Sequence, residues 1–148
     1  VGYPALRSCR SEVKRLKPDA VLPSYAHAGD AGMDICASED VHIKKDERMK
    51  VPTGIAIQIP EGYVGLVWDK SGLSMNHGLK TLGGVIDAGY RGEIMIGIVN
   101  LSNEDYTIGK GHKVAQILIQ KVEAPNVQEV EELGDSHRGE KGFGSTGK

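Results

Sequence analysis

At 148 residues and 15.9 kDa the chain is large enough for one domain with a single core. A net charge of −2 at pH 7 excludes the broad basic field that recruits nucleic acid, so an anionic ligand must be held by local features. The 20 glycines, roughly twice the usual share, point to many turns, and two cysteines without a CxxC pair leave no disulfide framework.

Apolar runs are short and bounded by Gly, Pro or charge, a pattern that predicts strands. In chain order they fall at residues 13–16, 33–37, 41–43, 49–51, 54–59, 62–68, 93–101 and 114–122. Pro52, Pro60 and Pro125 interrupt runs where turns are expected. The segment from Ile55 to Ile59 alternates as a half-buried strand should. Residues 71–77 make the one predicted helix, with Ser71 as N-cap and Gly78 as the stop. Val127, Val130 and Leu133 suit helical spacing better than strand spacing, and local pattern leaves that segment open. From Gly134 onward the chain is polar and Gly-rich, with Phe143 its only large apolar residue. The expected organisation is an all-β domain over residues 1–133 and a flexible C-terminal arm over 134–148. No stretch is apolar enough to span a membrane and no signal-type segment is evident, so an intracellular, soluble protein is expected.

Several islands could carry chemistry. Asp69-Lys70-Ser71-Gly72-Leu73-Ser74 opens the predicted helix, where free amides, a hydroxyl and the Lys70 charge suit a phosphate; an ordinary capped helix explains it equally. Between Gly83 and Glu93 the pattern reads as a β-hairpin carrying Asp87 and Tyr90. Asp87 follows two apolar residues, a place where a carboxylate is partly desolvated and can act as a base, or else cap the turn. Asp34 has the same two readings. Gly142-Phe143-Gly144-Ser145-Thr146-Gly147 fits GxGxxG, and with Lys148 most of a Walker loop, but both motifs need a following helix to hold phosphate. Five scattered histidines without HxH or HExxH argue against a caged zinc, and Ser71 with His77 makes a poor hydrolase pair.

Taken in order, these islands resemble the motifs of the trimeric dUTPase family over nearly the whole chain. Ala28-Gly29-Asp30-Ala31-Gly32-Met33-Asp34 is similar to that family's AGYDL region, and Lys70-Ser71-Gly72-Leu73-Ser74 to its RSGLA motif. Gly84-Val85-Ile86-Asp87-Ala88-Gly89-Tyr90-Arg91-Gly92-Glu93 matches GVIDxxYRGE at every defined place. Gly111-His112-Lys113-Val114-Ala115-Gln116 is like GDRIAQ, and the segment from Arg138 to Gly147 resembles RGxGGFGSTG.

The resemblance implies a jelly-roll-like all-β fold, with residues 127–133 a strand, and a homotrimer whose active sites are shared between subunits. It implies hydrolysis of dUTP to dUMP and pyrophosphate, assisted by Mg²⁺, which keeps uracil out of DNA and supplies dUMP. Asp87 would activate the water that attacks the α-phosphorus. Tyr90 would pack on the deoxyribose and exclude a 2′-hydroxyl. Gly84, Val85, Ile86 and Asp87 would bind the uracil edge, with Thr81 and Met95 beside it. Lys70, Ser71, Gly72 and Gln116 would hold phosphates, and Asp34 would stand in the outer shell of Mg²⁺. Arg138, Phe143, Gly144 and Ser145 would close over the substrate. Neither nucleic acid nor membrane is an implied partner.

Four positions depart from the family pattern. Lys70 stands for the usual Arg, losing a bidentate fork. Asp69 stands for a Pro and adds negative charge near phosphates, Lys141 replaces a Gly of the arm, and Thr81 stands where some members have Asn. The competing implications are a dCTP deaminase-like enzyme, which shares this fold, and a dUTPase-like module that binds nucleotide without hydrolysing it.

Overall fold

The structure is a computed structural model that describes residues 9–144, 146 and 147. Isoleucine dictates its centre. In β8 (Glu93–Asn100) Ile94, Ile96 and Ile98 face inward while Met95 is exposed. Its neighbour β4 (Arg48–Gln58) contributes Val51, Ile55 and Ile57 to the same core. Each buried aliphatic side chain adds about 1.5–3 kcal/mol relative to exposure, so this ladder is the main stabilising element.

β4 is one continuous strand where Pro52 predicted two. The pairing with β8 shifts register between Pro52 and Ala56, and this irregularity absorbs the proline without ending the strand. Gly54 makes it possible, because its φ of 70° is left-handed and a β-carbon there would sit 3.0 Å from Ala20 Cβ. The predicted alternation after it is also modified. Ala56 is buried along with the isoleucines, its short side chain flanked by register partners Lys14 and Glu93.

Two four-stranded antiparallel sheets carry the fold. One runs β1 (Glu12–Arg15), β4, β8, β6 (Leu79–Thr81); the other runs β2 (Met33–Cys36), β10 (Lys113–Lys121), β5 (Tyr63–Trp68), β7 (Val85–Ile86). A third, two-stranded pair joins β3 (Val41–Ile43) to β9 (Tyr106–Ile108). The class is all-β and jelly-roll-like, with open rather than closed sheets. The single helix among the described residues, α1 (Ser71–His77), buries none of its residues and stops at Gly78 in the left-handed conformation.

Three expectations are corrected. Ser71 is the first helical residue and Lys70 the N-cap, with extended backbone and no side-chain cap bond, its ammonium being engaged by Asp34 instead. The segment from Gly83 to Glu93 is not a hairpin. Its first arm, β7, pairs with β5, its second, β8, with β4 and β6, so it crosses from one sheet to the other. Residues 127–133 form no strand: no strand edge among the described residues pairs with them, and Val127 and Leu133 stay 98% and 87% exposed. Cys36 is buried, its thiol pushed up by burial and by nearby Asp34, whereas Cys9 is exposed. No helix of the described chain is long and apolar enough to cross a membrane.

Candidate functional site

The central strand β10 builds the site by register. Gln116 pairs with Asp34 on β2 and with Trp68 on β5, so three segments far apart in sequence meet in one cross-strand row. This row floors a cleft of about 610 Å³ whose walls include Asp30, Gly32, Asp69 and Lys70. Gly32 has a steric task here. A β-carbon there would overlap the Gln116 amide, whose Nε2 instead donates to the Asp69 carbonyl at 2.9 Å.

Charge inside the cleft is paired. The Lys70 ammonium donates to Asp34 Oδ1 at 2.6 Å, and Lys113 stands 2.9 Å from Oδ2 as an ion pair, without a directed hydrogen bond. Burial works to raise the Asp34 carboxyl, but Lys70 and Lys113 outweigh it and hold the group below the ordinary carboxylate range. Asp34 therefore carries a full negative charge beside two cations. Lys70 lies at the rim of the cleft, its side chain 30% exposed.

Asp69 borders the cleft through its carbonyl, but its carboxylate is engaged by Lys80 and Thr81 on the β6 side. Burial would raise it, and Lys80 with the Thr81 amide and hydroxyl lower it overall; its carboxylate accepts from all three at 2.7 Å. The negative charge expected near phosphates is thus turned toward β6 and neutralised. On that side lies a second pocket, of about 300 Å³, lined by Trp68, Lys80, Thr81, Gly84 and Val85 among others. Trp68 borders both spaces.

Of the residues singled out in the sequence, Asp34, Lys70 and Gln116 share the cleft, and Thr81, Gly84 and Val85 share the pocket. Ser71 and Gly72 are exposed at the start of α1, whose first amides lack helical partners. Ile86 is half-buried and packs on the core. Asp87 is exposed rather than desolvated, and the turn is closed by Tyr90 N–H donating to the Asp87 carbonyl at 3.1 Å. Met95 is set apart: strand alternation places its side chain in an outer groove with Arg48, Met49, Lys50, Leu82 and Gly97. Arg138, Phe143 and Gly144 are exposed and touch neither space, and Ser145 lies outside the described residues. Arg138 Nε donates to the Lys141 carbonyl and Lys141 N–H to that of Arg138, so Lys141 shapes a turn in the arm.

Sequence reasoning assigned no role to Trp68, Lys80 and Lys113. Trp68, the sole tryptophan, offered a signal, because a large ring beside Asp69 at a strand end tends to border a pocket. No group of three metal-ligating side chains exists among the described residues, and both Asp34 oxygens already face ammonium groups. With both oxygens so engaged, Asp34 could meet a divalent ion only through water.

The dUTPase family profile matches residues 19–147. A deoxyuridine 5'-triphosphate nucleotidohydrolase of Clostridium kluyveri is 50% identical over 137 residues, covering 91% of this chain and 96% of its own. That of Thermobifida fusca is 46% identical over 97% of this chain and 82% of its own. A variant of the Staphylococcus bacteriophage 80alpha dUTPase with dUpNHpp superposes with a TM-score of 0.90 at 35% identity, covering 94% of this chain and 99% of that one. A variant dUTPase of the S. aureus phage phi11, described for coordination of a structural Mg(II) ion, gives 0.78 at 33% identity over 83% of this chain and 97% of that one.

Proposed function

The chain belongs to the dUTPase family and is a dUTP diphosphatase; from that premise we propose how its own residues divide the work. The triphosphate occupies the Asp34–Lys70–Gln116 cleft and the uracil the adjoining Thr81–Gly84 pocket, with Trp68 between them. The observation that carries this reading is the Asp34–Gln116–Trp68 row, which sets the two spaces side by side at one wall.

Lys70, Gln116 and the free amides of Ser71 and Gly72 bind the α- and β-phosphates. Asp87 accepts a proton from water as its oxygen attacks the α-phosphorus; the bond to the bridging oxygen breaks, and pyrophosphate leaves with dUMP behind. Tyr90 packs on the deoxyribose and leaves no room for a 2′-hydroxyl, and the backbone from Gly84 through Ile86 reads the uracil edge. Asp34 would hold Mg²⁺ through water, and the ion, carried on the triphosphate, would supply charge neutralisation.

Asp87, Tyr90, Arg138 and Phe143 are exposed in the single chain, and a site that excludes water needs cover. Exposed Met49, Leu82, Met95, Val127 and Leu133 are apolar surface that a second copy would bury. We place the working enzyme as a homotrimer, in an intracellular setting where nucleotides are held, with residues 134–148 as a separate arm closing over a neighbour's nucleotide. Arg138 meets the γ-phosphate and Phe143 stacks on the base, followed by amides of Gly144 and Ser145. The test is product analysis: dUTP should give pyrophosphate stoichiometrically, and light scattering should show activity only in the trimer. Ammonia from dCTP would point to a deaminase, and bound but intact dUTP to a binding module.

A further inference from the structure

Asp69 joins the two spaces. Its carbonyl is held by Gln116 in the cleft at 2.9 Å, and its Oδ1 takes both donors of Thr81, the amide and the hydroxyl, at 2.7 Å each. Thr81 is only 6% exposed, lies on edge strand β6 and lines the base pocket. An edge strand leaves outward N–H groups without sheet partners, and a threonine hydroxyl has a single proton to give. With both donors engaged, Thr81 has nothing to offer a ligand acceptor. Lys80, beside it, is held 2.7 Å from Oδ2, the far oxygen of Asp69, leaving Oδ1 to Thr81.

We propose that Asp69 is a positioning residue for base selection, which withholds the Thr81 donors from the pocket and so denies cytosine a partner there. The two bases differ in hydrogen-bond polarity on one edge. Uracil presents a donor at N3, whereas cytosine presents an acceptor there. With no free donor on Thr81, a cytosine N3 that faces it is left desolvated and unpaired, the kind of mismatch that discriminates strongly. If Asp69 is lost, the Thr81 hydroxyl turns freely and can donate to that atom. This inference rests on the base pocket proposed above.

Calorimetric binding of the imido analogues of dUTP and dCTP tests it on the intact assembly. Asp69→Ala should lower the preference for the uracil analogue by roughly tenfold. Asp69→Asn, whose amide oxygen still accepts from Thr81, should keep the wild-type ratio. Thr81→Val added to Asp69→Ala should restore it, because no hydroxyl remains to turn. A merely structural role for Asp69 would weaken both analogues equally and would not be rescued by removing the hydroxyl. If Asp69→Ala does not fold, Asp69→Leu fills the volume without accepting and reports the same ratio. An unchanged ratio in the alanine or leucine variant, or a lost ratio that Thr81→Val leaves unrestored, overturns the inference. Failure of the wild type to release pyrophosphate from dUTP would instead sink the functional reading beneath it.

Discussion

Gly92 holds open the space that Tyr90 occupies: a β-carbon at Gly92 would lie 2.5 Å from Tyr90 Oη and 2.7 Å from Cζ. The phenol folds back over this glycine and donates to the Glu93 carbonyl at 2.8 Å. Gly92→Ala should therefore fold normally yet swing the ring away, relaxing the preference for dUTP over UTP about as much as Tyr90→Ala does. Paired kcat/KM measurements on both nucleotides check this, and an unchanged ratio in both variants would move the sugar gate elsewhere.

Asp87 is the only carboxylate within the turn from Val85 to Tyr90. Asp87→Asn keeps the shape and the hydrogen-bonding reach but has no basic oxygen. Binding of dUpNHpp should survive while turnover falls by roughly 10²–10⁴-fold, the usual share of a general base. Near-normal turnover in the variant would remove Asp87 from that role.

The Asp34 pairs have a measurable acid limb. Its folded carboxyl titrates below the ordinary 3.8, so the stabilisation is complete above that value and fades as pH falls through the lower folded one. Asp34→Asn should be less stable at neutral pH and show a shallower loss of stability below pH 3.8. Asp19, Asp69 and Asp105, also lowered, keep the remaining slope. Denaturant melts between neutral pH and the acid limb decide the matter: identical slopes in the two proteins would show that Lys70 and Lys113 contribute no net stability through Asp34.

Deletion from Arg138 onward removes the Arg138–Lys141 turn and Phe143 but no core residue. The truncated protein should keep its melting temperature and bind dUMP, while hydrolysing dUTP poorly. Full activity after deletion would reduce the arm to a linker.

The isoleucine-rich strands were legible because their pattern and their burial have one cause, a core that takes one face of each strand. The short strands β6, β7 and β9 were not, since two or three residues carry no period and are fixed by partners far along the chain. The same reason misled the reading of Val85 to Glu93, where local turn chemistry suits a hairpin and only long-range pairing sends the arms to different sheets. Phosphate-side residues were readable as motifs, whereas Lys113 and Trp68 gain their place from β10 register. Asp69 was read as a charge added near phosphate. Its actual direction depends on Thr81 lying on a strand edge, which no local window reveals.

The position of β10 also sets an order of events during synthesis. β2 and β5 do not pair with each other; β10 is inserted between them. Until residues 113–121 leave the ribosome, β2 has no neighbouring strand in its sheet, and Asp34 lacks Lys113. A nascent chain can assemble the β4–β8 sheet early, but the Asp34–Gln116 cleft closes later, when β10 slots between β2 and β5. Such late, long-range closure slows folding, and a chain broken off before Lys113 lacks Gln116 and the cross-strand row that floors the cleft.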